Sequence, residues 1–274
     1  MPKGLALLEQ LTFFAPVLAL CVILVGMHAY LGLHVLARGV IFIDLSLAQV
    51  AALGGLLAQV FWHEASRTLS YVSALGATLL AASLLTLATR RAARISMEAL
   101  IGILFAGASA GSILLLDQLD HGTDHLKHAL VGNILFVTWK DVFQTLGIYS
   151  LVGVLLFAWD KRLRAQSLGQ TQVAYVDFVF YVLFSVVIVS SVTLSGVLVV
   201  FAFLIGPTFT ASLVCTSWNK RLLFAWALGV ILSLTSLLMS IAWDLPTGAT
   251  LVAVFSTVAF AAGLLVPKYA RSNS

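Results

Sequence analysis

The stretch Asp117-Gln-Leu-Asp120-His121-Gly-Thr-Asp124-His125-Leu-Lys-His128 gathers three of the chain's six histidines among interleaved carboxylates. Wound as a helix, it puts Asp117, His121, Asp124, His125 and His128 on one side, at offsets of four, seven, eight and eleven. Imidazole and carboxylate converging on one face suit zinc or another first-row divalent ion. Gly122 weakens such a helix by about 1 kcal/mol, so a bent segment carrying the same donors is the alternative. The competing reading is a solvated outer loop whose histidines titrate and bind nothing.

Two further places carry ionisable groups where apolar residues dominate. In Arg38-Gly-Val-Ile-Phe-Ile-Asp44-Leu-Ser46-Leu-Ala-Gln49, the carboxylate sits inside an apolar run with a hydroxyl and an amide nearby. An ionisable side chain within a span costs roughly 2.5–3.5 kcal/mol, so it is aimed at a cavity or a partner. Oxygen donors suit a cation path; the alternative is that Asp44 pairs with Arg38 and only fixes helix packing. The third place is Trp243-Asp244-Leu-Pro246-Thr-Gly248, a turn in which Asp244 is expected to cap the following helix or to meet a cation at a pore mouth.

The elements that must position these residues are membrane helices. Of the 274 residues, 61% are hydrophobic and 9% charged, against about 25% charged in a soluble domain. Lipid is the solvent for such a chain, and backbone groups in lipid must be satisfied within helices or a closed barrel. The apolar runs last about 20 residues without alternation, which selects helices. Nine are marked, near 11–32, 39–61, 68–88, 97–116, 138–158, 174–192, 196–214, 222–242 and 249–267, giving one all-α transmembrane domain of eight or nine helices over 1–274. The cationic connections at Arg90-Arg91, Lys161-Arg162, Lys220-Arg221 and Lys268 fall on one side of this count, the cytoplasmic one by the positive-inside rule. Residues 33–38 join them, which leaves the N-terminus outside together with the connections at 117–137 and at Asp244. The first apolar run reads as a retained span rather than a signal peptide.

Short clusters of cations between apolar runs are membrane-loop charge, so the net charge of +4 does not point to nucleic acid. Cys21 and Cys215 read as buried thiols. Small residues at Gly107 and Gly111, with Ala106 and Ala110, and at Ala51-Ala52 with Gly54-Gly55, predict close helix contacts. There is no phosphate-binding loop, H-E-x-x-H or nucleophile elbow, so the chain is not expected to be an enzyme. Any ATPase that drives transport is a separate chain.

In order along the chain, several segments resemble the permeases of zinc, manganese and iron ABC importers. They are Leu45–Gly54, Met97–Ala106, Leu130-Val-Gly132-Asn133-Ile-Leu135 followed by Thr138-Trp139-Lys140-Asp141, Asp160–Gly169, Gly196–Pro207, and Asp244-Leu-Pro246-Thr-Gly248. The resemblance implies a fold like that of cobalamin and siderophore importers, a homodimer in the bacterial plasma membrane, two cytoplasmic ATPase subunits and an extracytoplasmic metal-binding protein. It makes Asp160, Ala165, Leu168 and Gly169 part of the ATPase-docking segment, and 118–136 the outer gate. The family's Asp/His ligand pair lies four residues apart. Aligned on Gly54, Leu45 and Gln49 take those places, and Asp44 is one residue early. The expectation is a weakened central site at Asp44 and Gln49, helped by the outer histidines and by Asp244. Zinc is the first cargo, then manganese or iron. A metal chelate, a small organic cofactor or a stand-alone ion-coupled transporter are the alternatives.

Overall fold

The computed structural model describes residues 3–62, 65–91, 96–117 and 134–266, with the side chains of 3–11 and 89–91 excepted. Among them, every long element is a helix: α1 (Lys3–Arg38), α2 (Ile43–Phe61), α3 (Arg67–Arg91), α4 (Met97–Leu116), α5 (Trp139–Ser167), α6 (Ala174–Ser195), α7 (Val197–Val214), α8 (Trp218–Trp243) and α9 (Thr247–Leu265), with a short 3-10 turn at Ile134–Phe136. Nine of the described helices are long and apolar enough to cross a membrane. Large apolar side chains stay exposed on them, Phe157 at 83% and Leu265 at 79% among them. That is the surface lipid requires.

Local chemistry fixes the ends. Thr138 and Asp141 form a reciprocal box at the start of α5: the Asp141 carboxylate accepts from Thr138 N (3.1 Å) and Oγ1 (2.8 Å), while Asp141 N donates to Thr138 Oγ1. α1 continues through Arg38, further than the expected span, because nothing breaks it before Gly39. There Gly39 takes the left-handed conformation (φ 69°), with Gly39 N bonded to Leu36 O and Val40 N to Val35 O. The same C-terminal motif closes α5 at Gly169 (φ 72°), through Gly169 N to Gln166 O and Gln170 N to Ala165 O.

The chain forms two compact units, each assembled from separated segments. One comprises 34–132 and 151–198. In it α2 packs on α3, α4 and α6, and α3 packs on α6. Ala51, Ala74 and Val189 meet at the crossing. A Cβ on Gly54 would stand 2.9 Å from the Ala74 Cα, and Ser73 Oγ donates to Gly54 O at 2.6 Å, so the expected close contact at Gly54 is made. On α4, Gly111 meets Leu53, while among the described residues nothing lies within 4 Å of a Cβ placed on Gly107. The buried serines of α6, Ser185, Ser190, Ser191 and Ser195, donate to carbonyls one turn back, the usual way a helix satisfies a hydroxyl in an apolar setting.

The other unit comprises 1–33, 133–150 and 199–274. Ala29, Ala211 and Ala225 mark the contact of α1, α7 and α8. Gly32 lies so close to Leu204 O that a Cβ would overlap it at 2.2 Å. Phe203 and Phe255 meet edge to face at 5.0 Å. Both cysteines are free, Cys21 buried and Cys215 half-buried.

Candidate functional site

Asp44 is the second residue of α2 and is fully buried. Among the described residues, neither carboxylate oxygen has a hydrogen-bond partner, and the buried hydroxyl of Ser46 has none either. The helix N-terminus favours the negative charge by about 0.3–2 kcal/mol, less than the roughly 2.5–3.5 kcal/mol a carboxylate costs within a span. Such a group is met by a cation or carries a proton. The pairing with Arg38 weighed from the sequence is not made. Arg38 turns instead to α6, where NH1 donates to Asp177 Oδ1 at 2.5 Å and the guanidinium lies 4.2 Å from the Phe180 ring centroid. The nearest cation in the sequence is therefore engaged elsewhere.

Where α5 ends and α6 begins, a polar network joins three chain segments. Arg38 Nε donates to Ser167 Oγ at 2.9 Å, and Ser167 Oγ shares a 2.8 Å hydrogen bond with His34 Nδ1. Gln166 Nε2 donates to Asp177 Oδ2 at 2.8 Å, while its Oε1 accepts from Val173 N at 2.9 Å. Ser167 and His34 are buried; Leu168, Gly169, Gln170 and Thr171 are exposed. Asp160 pairs with Arg164 at 2.7 Å, one turn along the same helix. The ends of α1 and α5 and the start of α6 thus lie together, in keeping with the placement of 33–38 and 160–170 on one side of the bilayer. The segment 160–167 is the last two turns of α5, not a separate element, since no breaker precedes Gly169.

The other expected site residues are dispersed. Gln49, five residues from Asp44, sits about 140° around the helix and is half-buried. Asp117 is an exposed residue closing α4. Asp244 does not cap α9. It is the left-handed residue (φ 51°) that ends α8, with Leu245 N bonded to Ser240 O, and α9 starts at Pro246 with no side-chain cap. Its carboxylate is exposed because the turn needs its backbone rather than its oxygens. His121, Asp124, His125 and His128 lie outside the described residues. Among the described residues, no three His, Cys, Asp or Glu side chains come together as a metal cluster.

Two ionisable groups escaped the sequence reading: His28 and His34, both fully buried in α1. His28 Nδ1 donates to Leu24 O at 2.8 Å. Their signal was available, since an ionisable residue in an apolar run marks a partner or a path.

Comparison with known proteins agrees with this architecture. A family model, the ABC 3 transport family, matches residues 10–266. The manganese transport system membrane protein MntC of Listeria innocua is 30% identical over 182 residues, 64% of this chain and 65% of that protein. The chelated iron transport system membrane protein YfeD of Yersinia pestis is 31% identical over 170 residues, 59% of this chain and 56% of that protein. The aligned part thus spans less than two thirds of these relatives. In structure, PsaBC from Streptococcus pneumoniae in complex with Fab superposes with a TM-score of 0.78 at 22% identity, covering 96% of both chains. A putative metal-chelate type ABC transporter in an inward-facing conformation gives 0.68 at 18% identity, covering 93% of this chain and 88% of that one. Nine described helices long and apolar enough to cross a membrane and a family match along nearly the whole sequence lead to one assignment: the chain belongs to the ABC 3 transport family, as a multi-pass plasma-membrane protein.

Proposed function

We propose that the chain is the membrane permease of an ATP-driven importer of divalent metal ions, with Asp44 as a cargo contact on the path. The observation that carries this reading is the buried Asp44 carboxylate with both oxygens unpartnered. A carboxylate is an oxygen donor, and carboxylate, carbonyl and water oxygens suit manganese better than zinc; Ser46 and Gln49 of α2 lie about 160° and about 140° away from it around the helix. Zinc, the first cargo expected from the sequence, depends on the histidines at 121–128, which act in this reading as an outer attracting site. The relatives MntC and YfeD, membrane proteins of a manganese and a chelated-iron transport system, support metal as the cargo class.

The permease works as a homodimer. Cytoplasmic ATPase subunits dock near Asp160, Ala165, Leu168 and Gly169, and an extracytoplasmic metal-binding protein delivers the ion above 118–136. Release demands a weak site, which one carboxylate with neutral oxygens supplies better than a closed cluster of imidazoles.

The test is ATP hydrolysis by the complex in proteoliposomes with manganese, iron, zinc and a panel of metal chelates. Manganese should stimulate most. Asp44→Asn should cut metal-stimulated turnover about tenfold, the equivalent of losing one charged contact of about 1.5 kcal/mol. Replacing His121, His125 and His128 together with alanine should lower uptake only at limiting metal. Stimulation by chelates alone would transfer the assignment to a chelate importer.

A further inference from the structure

We propose that Arg38 is a positioning residue that makes the ATPase-docking corner and the Asp44-bearing start of α2 move as one body. This rests on the reading that the corner at 160–170 docks the ATPase. All the residues involved belong to the same compact unit.

The corner is gripped from beneath and open above. Leu168 is 54% exposed while Ser167 beside it is 4% exposed. The Gly169 motif ties the corner to α5, and Gln166 Oε1 holds the returning chain through Val173 N and Thr171 Oγ1. The underside is then fastened to α1. One guanidinium spans Ser167 Oγ and Asp177 Oδ1, and Gln166 completes the second oxygen of Asp177. A force applied to the exposed face therefore reaches Arg38 through an ion pair and two further side-chain hydrogen bonds. The guanidinium is pressed on Phe180, and its side chain is 8% exposed, so it has little room to slip.

From Arg38 to Asp44 the chain carries no slack. Gly39 N and Val40 N bond back into α1, Ile43 N bonds to Val40 O at 3.1 Å, and Ser46 N bonds to Phe42 O at 3.1 Å. This elbow leads from Arg38 to the Asp44 carboxylate in six residues, bonded back into α1 at its start and into α2 at its end. The planar fork of arginine is what allows one side chain to hold two acceptors in fixed directions; a lysine ammonium is a point charge on a flexible stem. Ordinary helix packing would position the helices, but it would not need a bidentate buried cation at this joint.

The experiment uses the assembled complex in proteoliposomes and reads manganese imported per ATP hydrolysed. Leu168→Glu tests the premise: it should abolish co-purification of the ATPase, and retained assembly would remove both the docking reading and this proposal. With docking established, Arg38→Lys and Ser167→Ala should keep the ATPase bound while the import-to-hydrolysis ratio falls at least about fivefold. The double variant should fall no further than Arg38→Lys alone, because both act on one joint. A purely structural role predicts lower melting temperature and lower rates with an unchanged ratio, which would overturn the assignment. Ser167→Ala keeps every charge paired, so it still decides the matter where an Arg38 variant fails to fold.

Discussion

Asp44 and Arg38 stand six residues apart and are treated oppositely by the fold. Arg38 has its charge matched, its Nε and NH1 bonded and its plane stacked, whereas among the described residues Asp44 has only the start of its own helix. Structural ion pairs are built in the first way, and a transient contact with a passing ion demands the second. The contrast makes a stability prediction that sets function against folding. Asp44→Leu should raise the thermal stability of the detergent-purified protein, by about 1 kcal/mol or more, as a buried unpaired carboxylate is removed. Uptake should be lost in the same variant. A fall in melting temperature would show that Asp44 has a structural partner. The opposite outcome is expected at Arg38, where removing the cation leaves the Asp177 carboxylate without its counter-charge in a mostly buried joint.

At the scale of elements, two segments that resemble family signatures have plain mechanical meanings. Thr138-Trp139-Lys140-Asp141 is a capping box that starts α5, and Ala165-Gln-Ser-Leu168-Gly169 is the motif that stops it. Thr138→Ala and Asp141→Ala should each cost about 1 kcal/mol, and the double variant less than the sum, since they share one interaction. Gly169→Ala should cost about 1–2 kcal/mol, because φ at 72° is left-handed. Thermal unfolding of the purified variants measures all four. These signals were legible in the sequence because capping acts over three or four residues. The Asp244 turn was misassigned for a related reason: Asp before Leu-Pro fits both an N-cap and a left-handed C-cap, and only the backbone angles distinguish them.

For the whole molecule, the sidedness of the corner decides whether energy from ATP can reach the chain. Cysteine at Leu168, in a background with Cys215→Ser, should react with an impermeant thiol reagent only from the cytoplasmic face. Cysteine at Asp117 should react only from the outer face. The reverse pattern would overturn the topology, and with it the docking of any ATPase at 160–170. The sequence alone determined that the chain spans a bilayer, that it does so on eight or nine helices, and roughly where those helices lie. Burial in lipid and capping are set by residues near one another in the chain, so composition and spacing suffice to read them. Tertiary structure decided which charges have partners. Arg38 reaches Asp177 across 139 residues of sequence, and the Asp44 carboxylate is left alone because that distant contact has taken its neighbour. Electrostatic pairing in a low-dielectric interior depends on distances of a few ångströms between helices, which no local pattern encodes.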